Sequence, residues 1–201
     1  ALCGRGNIVV SDLIVITKVK RSKIKGKLVS KLKNILILDL RKSGVAAVAV
    51  KAERPELPRV LDVIFANLEL LKRWKKGWRR KALRRVVLDF ANAFFHFPSR
   101  DDERRFFATR LVQDILVWLR TAQGSRGAPL VCGRALALIM RLAASTIHRD
   151  EMSASTYVDD PISSFIGDEA RQNVNIGKLI GSTLACGFDL AFAQAQDSAK
   201  G

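Results

Sequence analysis

Two adjacent aspartates carry the clearest chemical signal in this sequence. They lie in Tyr157-Val158-Asp159-Asp160, between two short stretches of β-forming residues, in a chain of net charge +16. Two carboxylates about 4 Å apart repel each other by about 4 kcal/mol at an effective dielectric constant near 20. A fold that fixes such a pair therefore needs a cation, and a hard divalent metal with oxygen ligands is the usual one. A simple hairpin turn is the alternative, because Asp tolerates turn geometry and Pro161 follows.

A third carboxylate of the same kind lies upstream, at Asp89, directly after the strand-like residues 86–88. Two metal ions held by carboxylates are the apparatus of phosphoryl transfer in polymerases and nucleases. Asp89, Asp159 and Asp160 are therefore the candidate catalytic and metal-binding residues. The only two histidines, His96 and His148, are far apart and show no metal-site or dyad spacing, so we assign them structural roles.

The positive charge is concentrated in two short runs. Residues 18–33 carry eight Lys/Arg and no acid, and residues 72–85 carry nine and no acid. Such runs are expected on a surface that neutralises a nucleic-acid backbone. Trp74 and Trp78 interrupt the second run at a helical spacing, where they either stack on bases or form the buried stripe of an amphipathic helix. A solvated hairpin or a membrane-surface patch is the alternative for the first run.

Length and composition restrict the class of protein. A chain of 201 residues with 48% hydrophobic and 27% charged residues is long enough for one sizeable core, with room for a small second lobe. No apolar run reaches the roughly 18 residues that span a membrane, so no membrane partner is expected. The start at Ala1, without a signal-peptide pattern, predicts a piece of a longer protein. Three scattered cysteines predict an intracellular location, in cytoplasm or nucleus, and not secretion.

The hydrophobic patterns predict an α+β fold: an antiparallel sheet with helices packed on one face, preceded by a β-hairpin. The helix at 130–147 is apolar nearly all round and is therefore expected to be buried. For residues 104–120 a helix competes with the hairpin. The predicted strands are 8–19, 27–40, 86–88, 104–111, 115–120, the two halves of a hairpin over 155–165, and 187–192; the predicted helices are 59–73, 130–147 and 168–185, with a Gly-rich loop at 123–129.

Several ordered blocks of this sequence resemble the reverse transcriptases of retrotransposons and retroviruses. Residues 89–98 (Asp-Phe-Ala-Asn-Ala-Phe-Phe-His-Phe-Pro) resemble the first palm motif, and residues 122–129, with their Gln-Gly pair, resemble the second. Tyr157 to Asp160 resemble the third, residues 36–45 the fingers strand, and residues 187–191 the start of the fourth. The resemblance covers about residues 8–196, and its strength lies in three palm motifs that occur in the family's order.

The resemblance implies a right-hand polymerase palm, with a fingers-like segment at 1–85 and a palm-like catalytic domain at 86–201 that stops before the primer grip and thumb. It implies an RNA-directed DNA polymerase that transfers nucleotides from a dNTP to a primer 3′-hydroxyl on an RNA or DNA template. The implied cofactor is a pair of Mg²⁺ ions, with Mn²⁺ as a possible substitute. The implied partners include the rest of a polyprotein, with a thumb and a ribonuclease H region.

The resemblance also assigns site residues beyond the carboxylates. Those implied to contact the nucleotide are Asn92, Ala93, Phe94, Gln123, Gly124 and Lys33. Phe94 would exclude a ribose 2′-hydroxyl, although a core aromatic is the equal alternative. Those implied to contact template or primer are Arg41, Arg126 and Tyr157, where solvent exposure for Arg126 and a half-buried structural role for Tyr157 are the alternatives.

Three positions depart from the family pattern. Ile35 stands where the fingers strand usually has an Arg that meets the incoming phosphates, and Lys33 is the nearest substitute. Asn92 replaces the second acid of the first motif, and Gln194 replaces the expected Lys of the fourth. A basic nucleic-acid-binding remnant that has lost catalysis is therefore the alternative to an active polymerase.

Overall fold

The computed structural model describes residues 6–24, 27–50, 53, 56–73, 83–192 and 195–199. The chain divides into two units, each made of two stretches: Ala1–Ala52 with Phe94–Ala128, and Glu53–Ala93 with Pro129–Gly201. The predicted fingers and palm boundary between residues 85 and 86 is a functional division and stays a prediction.

The described residues contain eight strands and four α-helices. In chain order they are β1 (Val10–Ile24), β2 (Lys27–Asp39), α1 (Val45–Val48), α2 (Val60–Arg73), β3 (Leu83–Val87), β4 (Ala108–Leu111), β5 (Asp114–Val117), α3 (Ala128–Ser145), β6 (Met152–Tyr157), β7 (Asp160–Ile166), α4 (Glu169–Ala185) and β8 (Gln196–Asp197), with short 3-10 helices at Ala93–His96 and Arg104–Phe106.

The first unit contains a four-stranded sheet in the order β2-β1-β4-β5. The long β1–β2 hairpin is antiparallel, as predicted, whereas β1 pairs with β4 in parallel. The core of this unit consists of Leu38, Leu40, Val45 and Ala122, with Phe106, Phe107 and Trp118 packed around it. This core fixes the end of β2 against the loop that follows β5.

The second unit contains an antiparallel sheet in the order β6-β7-β3-β8. Helix α2 contacts β6 and β7, and α4 contacts β7. Asp168 caps α4, because its carboxylate accepts a 2.8 Å hydrogen bond from the backbone N–H of Arg171. The central strand β7 is therefore the scaffold on which the other elements of this unit assemble.

The helices expose more apolar surface than their sequences suggest. In α3, Val131, Leu138 and Leu142 are about half exposed, so the prediction that this helix is buried all round is wrong. Only one of its faces packs, through residues such as Cys132, Leu136 and Met140. Among the described residues α3 alone is long and apolar enough to cross a membrane, but core helices pass the same test, and 33% of it is buried inside the protein.

Most predicted elements are confirmed, with three differences. The strand predicted at 187–192 is wrong: a single bridge between Phe90 and Leu190 replaces it, and the pairing strand is β8. Residues 104–106 form a 3-10 turn before β4 begins. The short helix α1 was not predicted, because four residues give too little periodicity to detect.

Candidate active site

The paired aspartates occupy the tip of the β6–β7 hairpin. Tyr157 pairs with Asp160, which leaves Val158 and Asp159 as a two-residue loop. Val158 has a φ of 56°, a left-handed conformation that matches the twist of a tight hairpin but strains a β-branched residue. Such strain costs about 1–3 kcal/mol and is commonly stored at functional sites. The antiparallel pairing of β6 and β7 therefore holds both carboxylates in a fixed place.

Asp89 lies beside the start of β7. The N–H of Leu88 donates to the carbonyl of Pro161 at 3.1 Å, which extends the pairing of β3 with β7. The carbonyl of Asp89 accepts from the N–H of Ala191 at 2.7 Å, and the N–H of Ala91 donates to the carbonyl of Asp189 at 2.9 Å. The backbone of Asp89 is thus fixed from two sides, and one of the two supports comes from the segment that resembles the fourth palm motif.

The charges of the other two predicted carboxylates act on Asp160. The pKa of Asp160 is raised above its usual value, first by burial and then by the negative charges of Asp159 and Asp89. Asp160 is therefore partly buried and is acted on by two like charges. Asp89 and Asp159 therefore lie close enough to Asp160 within the second unit for their charges to act on it, and the roles predicted for the three carboxylates stay predictions.

The chemistry of this site fits a hard divalent cation. Carboxylate oxygens are the ligands of Mg²⁺ and Mn²⁺, and a cation would relieve the repulsion that raises the pKa of Asp160. In the described part of the chain, no three His, Cys, Asp or Glu side chains already lie close enough together to hold a metal ion. Metal binding by the three aspartates therefore stays a prediction.

Cys132 of α3 lies fully buried near the hairpin tip. Burial raises the pKa of its thiol to about 12, and the charge of Asp159 contributes to the same shift. The buried thiol of Cys132 therefore lies close enough to Asp159 for the charge of that carboxylate to act on it. The sequence gives no sign that Cys132 lies near Asp159, since the two are distant along the chain.

The three residues predicted to contact the nucleotide after Asp89 have different environments. Asn92 is exposed and has a φ of 55°, which Asn tolerates well. Ala93 is only 3% exposed and begins a 3-10 turn. Phe94 is partly buried, which is compatible both with a contact to the sugar of a nucleotide and with a core position. Its role as a barrier to the 2′-hydroxyl stays a prediction.

The Gln-Gly loop is attached to the fingers strand within the first unit. The N–H of Leu38 in β2 donates to the carbonyl of Gln123 at 2.9 Å. Gly124 has a φ of 102°, and a Cβ at this position would collide with the carbonyl oxygen of Leu38. Gly124 is therefore required for backbone packing, whether or not it also approaches a nucleotide.

Two of the predicted template contacts already have partners within the first unit. Arg41 forms a two-pronged ion pair with Asp39, at 2.9 and 3.0 Å, and this guanidinium lowers the pKa of Asp39 to about 2. Arg126 donates to the carbonyls of Ala46 and Ala49, which places it against α1. Both side chains retain exposed N–H groups, so their contacts with template stay predictions.

The structure describes two of the remaining predicted contacts, Lys33 and Tyr157, and only part of the second basic run. Lys33 is exposed on β2 and lies opposite Lys18 of β1, while Tyr157 is 48% exposed at the edge of the hairpin tip. Trp74, Trp78 and Gln194 lie outside the described residues, as does most of the second basic run. Of that run, Arg84 is committed to an ion pair with Asp197, with Nε 2.9 Å from Oδ1.

Comparison with solved structures identifies the fold. A foamy viral protease-reverse transcriptase in complex with double-stranded DNA matches 91% of this chain with a TM-score of 0.56 at 17% identity. A mutant of the prototype foamy virus protease-reverse transcriptase matches 96% of it, with a TM-score of 0.60 at 16% identity. The fold is reverse-transcriptase-like. This confirms the predicted α+β architecture of a polymerase palm.

The matches are distant and partial. The chain spans 28% of the first viral protein and 21% of the second. No protein-family model matches the chain, and no curated protein does. The likeness therefore establishes the fold, and the chemistry must be argued from the residues of this chain.

Proposed function

We propose that the chain is the fingers and palm part of an RNA-directed DNA polymerase of a retroelement. One observation supports this assignment most strongly: in a reverse-transcriptase-like fold, the backbone of Asp89 is fixed beside the start of β7, next to the hairpin tip that carries Asp159 and Asp160. Mutually repelling carboxylates in a reverse-transcriptase-like fold are suited to binding metal ions and to phosphoryl transfer. The proposed reaction joins the α-phosphate of a dNTP to a primer 3′-hydroxyl.

The carboxylates of Asp89, Asp159 and Asp160 would hold a pair of Mg²⁺ ions, or Mn²⁺ in their place. Bound there, the metal would lower the pKa of the primer 3′-hydroxyl and offset charge on the triphosphate. The hairpin keeps the aspartates in position before substrate arrives, because β6, β7 and β3 share one hydrogen-bonded sheet. The exposed backbone at Asn92 is available to the triphosphate.

The other substrate contacts follow from the likeness to reverse transcriptases. Gln123 and Gly124 would pack on the nascent base pair, and Phe94 would select deoxynucleotides. Lys33, Arg41 and Arg126 would contact the nucleotide or the template, and Tyr157 the primer terminus. A thumb and a ribonuclease H region in a longer polyprotein, and an intracellular site of action, complete the proposal.

Primer extension on an RNA template tests the catalytic proposal. The chain is expected to extend a labelled DNA primer with dNTPs in Mg²⁺, and Asp159→Asn is expected to reduce extension at least about 100-fold. Asp150→Asn is the matched control, because it removes an equally sized charge from an exposed turn before β6. Equal activity of the Asp159→Asn variant and the unmodified chain would exclude the proposed site.

A basic nucleic-acid-binding remnant is the second candidate, favoured by Ile35 in place of the expected Arg of the fingers strand. In this case primer-template binding persists without extension. The same experiment distinguishes the two functions when binding is followed by fluorescence anisotropy. Binding by both forms, with incorporation by neither, would establish the remnant.

A further inference from the structure

Strand β5 forms one edge of the first unit's sheet. In the order β2-β1-β4-β5, its inner side pairs with β4, and no strand among the described residues pairs with its outer side. Leu111 and Asp114 close a two-residue turn, and the N–H of Trp118 donates to the carbonyl of Phe107 at 2.8 Å. Because backbone groups alternate along an antiparallel strand, those of Ile115 and Val117 point outward.

The two edges of this sheet differ in character. The other edge, β2, carries the exposed Lys33, and a lysine on an edge strand discourages pairing with a second chain. Strand β5 carries only Asp114 at its start, followed by Ile115, Leu116 and Val117. The side chains of Ile115 and Leu116 are each 45% exposed. An apolar edge with free backbone donors and acceptors is suited to strand addition.

We propose that two copies of this chain associate by antiparallel pairing of β5 with β5, about a twofold axis at Leu116. In this register Ile115 of one copy lies opposite Val117 of the other. Their outward N–H and C=O groups then form two hydrogen bonds, and the symmetry-related pair forms two more. The two Leu116 side chains meet at the axis as a close cross-strand pair.

Charge complementarity favours a second copy as the occupant. Asp114 begins the strand and Arg120 follows it, so antiparallel pairing brings each acid toward the partner's base. Arg120 uses one N–H on the carbonyl of His96 at 3.1 Å, and a guanidinium has four others. The two basic runs hold 17 of the 35 Lys/Arg, which leaves 18 against 19 Asp/Glu elsewhere. Away from these two runs the chain carries almost no net charge, although Arg110 of β4 lies opposite Ile115.

The interface is small. Four residues of strand bury less than the roughly 1,600 Å² of a standard protein interface, so the dimer is expected to be weak and reversible. Sedimentation velocity of the chain between about 1 and 200 µM is expected to show a monomer that converts to a dimer as concentration rises. Hydrogen exchange at the amides of Ile115 and Val117 is expected to slow over the same range.

Paired variants locate the contact. Leu116→Lys places two like charges opposite each other at the axis and is expected to weaken dimerisation about tenfold or more. Leu119→Lys is the matched control, since Leu119 is 44% exposed but lies outside β5. Asp114→Arg is expected to weaken the dimer, and adding Arg120→Asp to restore it. Circular dichroism verifies that each variant is folded.

A chain that remains monomeric at 200 µM would overturn the proposal. So would a dimer that tolerates Leu116→Lys, or one that Leu119→Lys weakens equally, because its contact then lies elsewhere. None of these outcomes depends on polymerase activity, so either proposal can fail without the other.

Discussion

No side chain fits between the α-carbon of Gly124 and the main-chain carbonyl oxygen of Leu38. Gly124 has a φ of 102°, a conformation that only glycine adopts easily. The adjacent hydrogen bond from the N–H of Leu38 to the carbonyl of Gln123 fixes the loop on β2. The Gln-Gly pair is therefore a packing element of the first unit as well as a candidate contact for the nucleotide.

This packing predicts a large difference between two glycines of the same loop. Gly124→Ala is expected to lower the free energy of unfolding by at least about 2 kcal/mol, because the new Cβ strains φ and displaces β2. Gly127→Ala is the control, since a Cβ there meets no atom within 4 Å, and its effect is expected within about 0.5 kcal/mol. Urea unfolding followed by circular dichroism measures both. Equal effects would contradict the observed contact.

The sequence predicted this loop but not its partner. A Gln-Gly pair before an apolar helix is recognisable because the residues are consecutive, whereas Leu38 lies far away along the chain. The same distinction holds at the carboxylates. The hairpin around Asp159 follows from local alternation, but its closeness to Cys132 and to Asp89 depends on how β7 pairs with β3 and where α3 packs.

The sequence also could not predict which apolar side chains are exposed. A helical period identifies an apolar face but not whether another element covers it. In α2 the apolar residues Val60, Ile64 and Leu68 recur at helical spacing but are exposed, while Asn67 and Leu70 are buried. Likewise, the sequence predicts a phosphate contact for a basic residue such as Arg84, but in the structure Arg84 forms an ion pair with Asp197.

The Arg84 and Asp197 pair is expected to stabilise the edge of the second sheet. Both side chains are less than one fifth exposed, and the pair joins β3 to β8. Asp197→Asn is expected to lower the free energy of unfolding by about 2 kcal/mol, because a charge-assisted hydrogen bond is lost in a half-buried place. Asp102→Asn, which breaks the exposed pair with Arg100, is expected to cost less than about 1 kcal/mol. Thermal unfolding of both variants tests the difference.

Arg41 is expected to govern the titration of Asp39. Hydrogen bonds from the Arg41 side chain and backbone hold the pKa of Asp39 at about 2, below the ordinary 3.8. Because the folded pKa is depressed, the pair stabilises the fold above about pH 4, and this contribution is lost as the pH falls toward 2. Arg41→Gln is expected to raise the pKa of Asp39 in a carboxyl NMR titration. An unchanged pKa would show that the backbone bond alone is responsible.

The two described cysteines are expected to differ strongly in reactivity. Burial raises the pKa of the Cys132 thiol to about 12, so almost no thiolate is present at neutral pH, whereas Cys186 is exposed. In a Cys3→Ser background, Ellman's reagent at pH 8 is expected to modify one thiol quickly. The second is expected to react only after urea is added. Rapid modification of two thiols in the folded chain would contradict the buried position of Cys132.

Removing one carboxylate is expected to stabilise the candidate active site when no metal is bound. Burial, Asp159 and Asp89 together raise the pKa of Asp160, so ionising it costs folding free energy as the pH rises above its ordinary value. Asp89→Asn is expected to lower that pKa in a carboxyl NMR titration. It is also expected to raise the free energy of unfolding at pH 7 by up to about 1 kcal/mol in EDTA.

Magnesium is expected to reverse the order of stability of Asp89→Asn and the unmodified chain. Millimolar Mg²⁺ should raise the unfolding temperature of the unmodified chain more than that of Asp89→Asn, because the variant offers one ligand fewer. Asp150→Asn, whose partly exposed carboxylate lies in the turn before β6 and outside the site, is expected to respond like the unmodified chain. If Asp89→Asn left both the pKa of Asp160 and the response to Mg²⁺ unchanged, Asp89 would not share a site with the hairpin tip. The assignment of polymerase chemistry to these three residues would then fail, whatever the likeness of the fold.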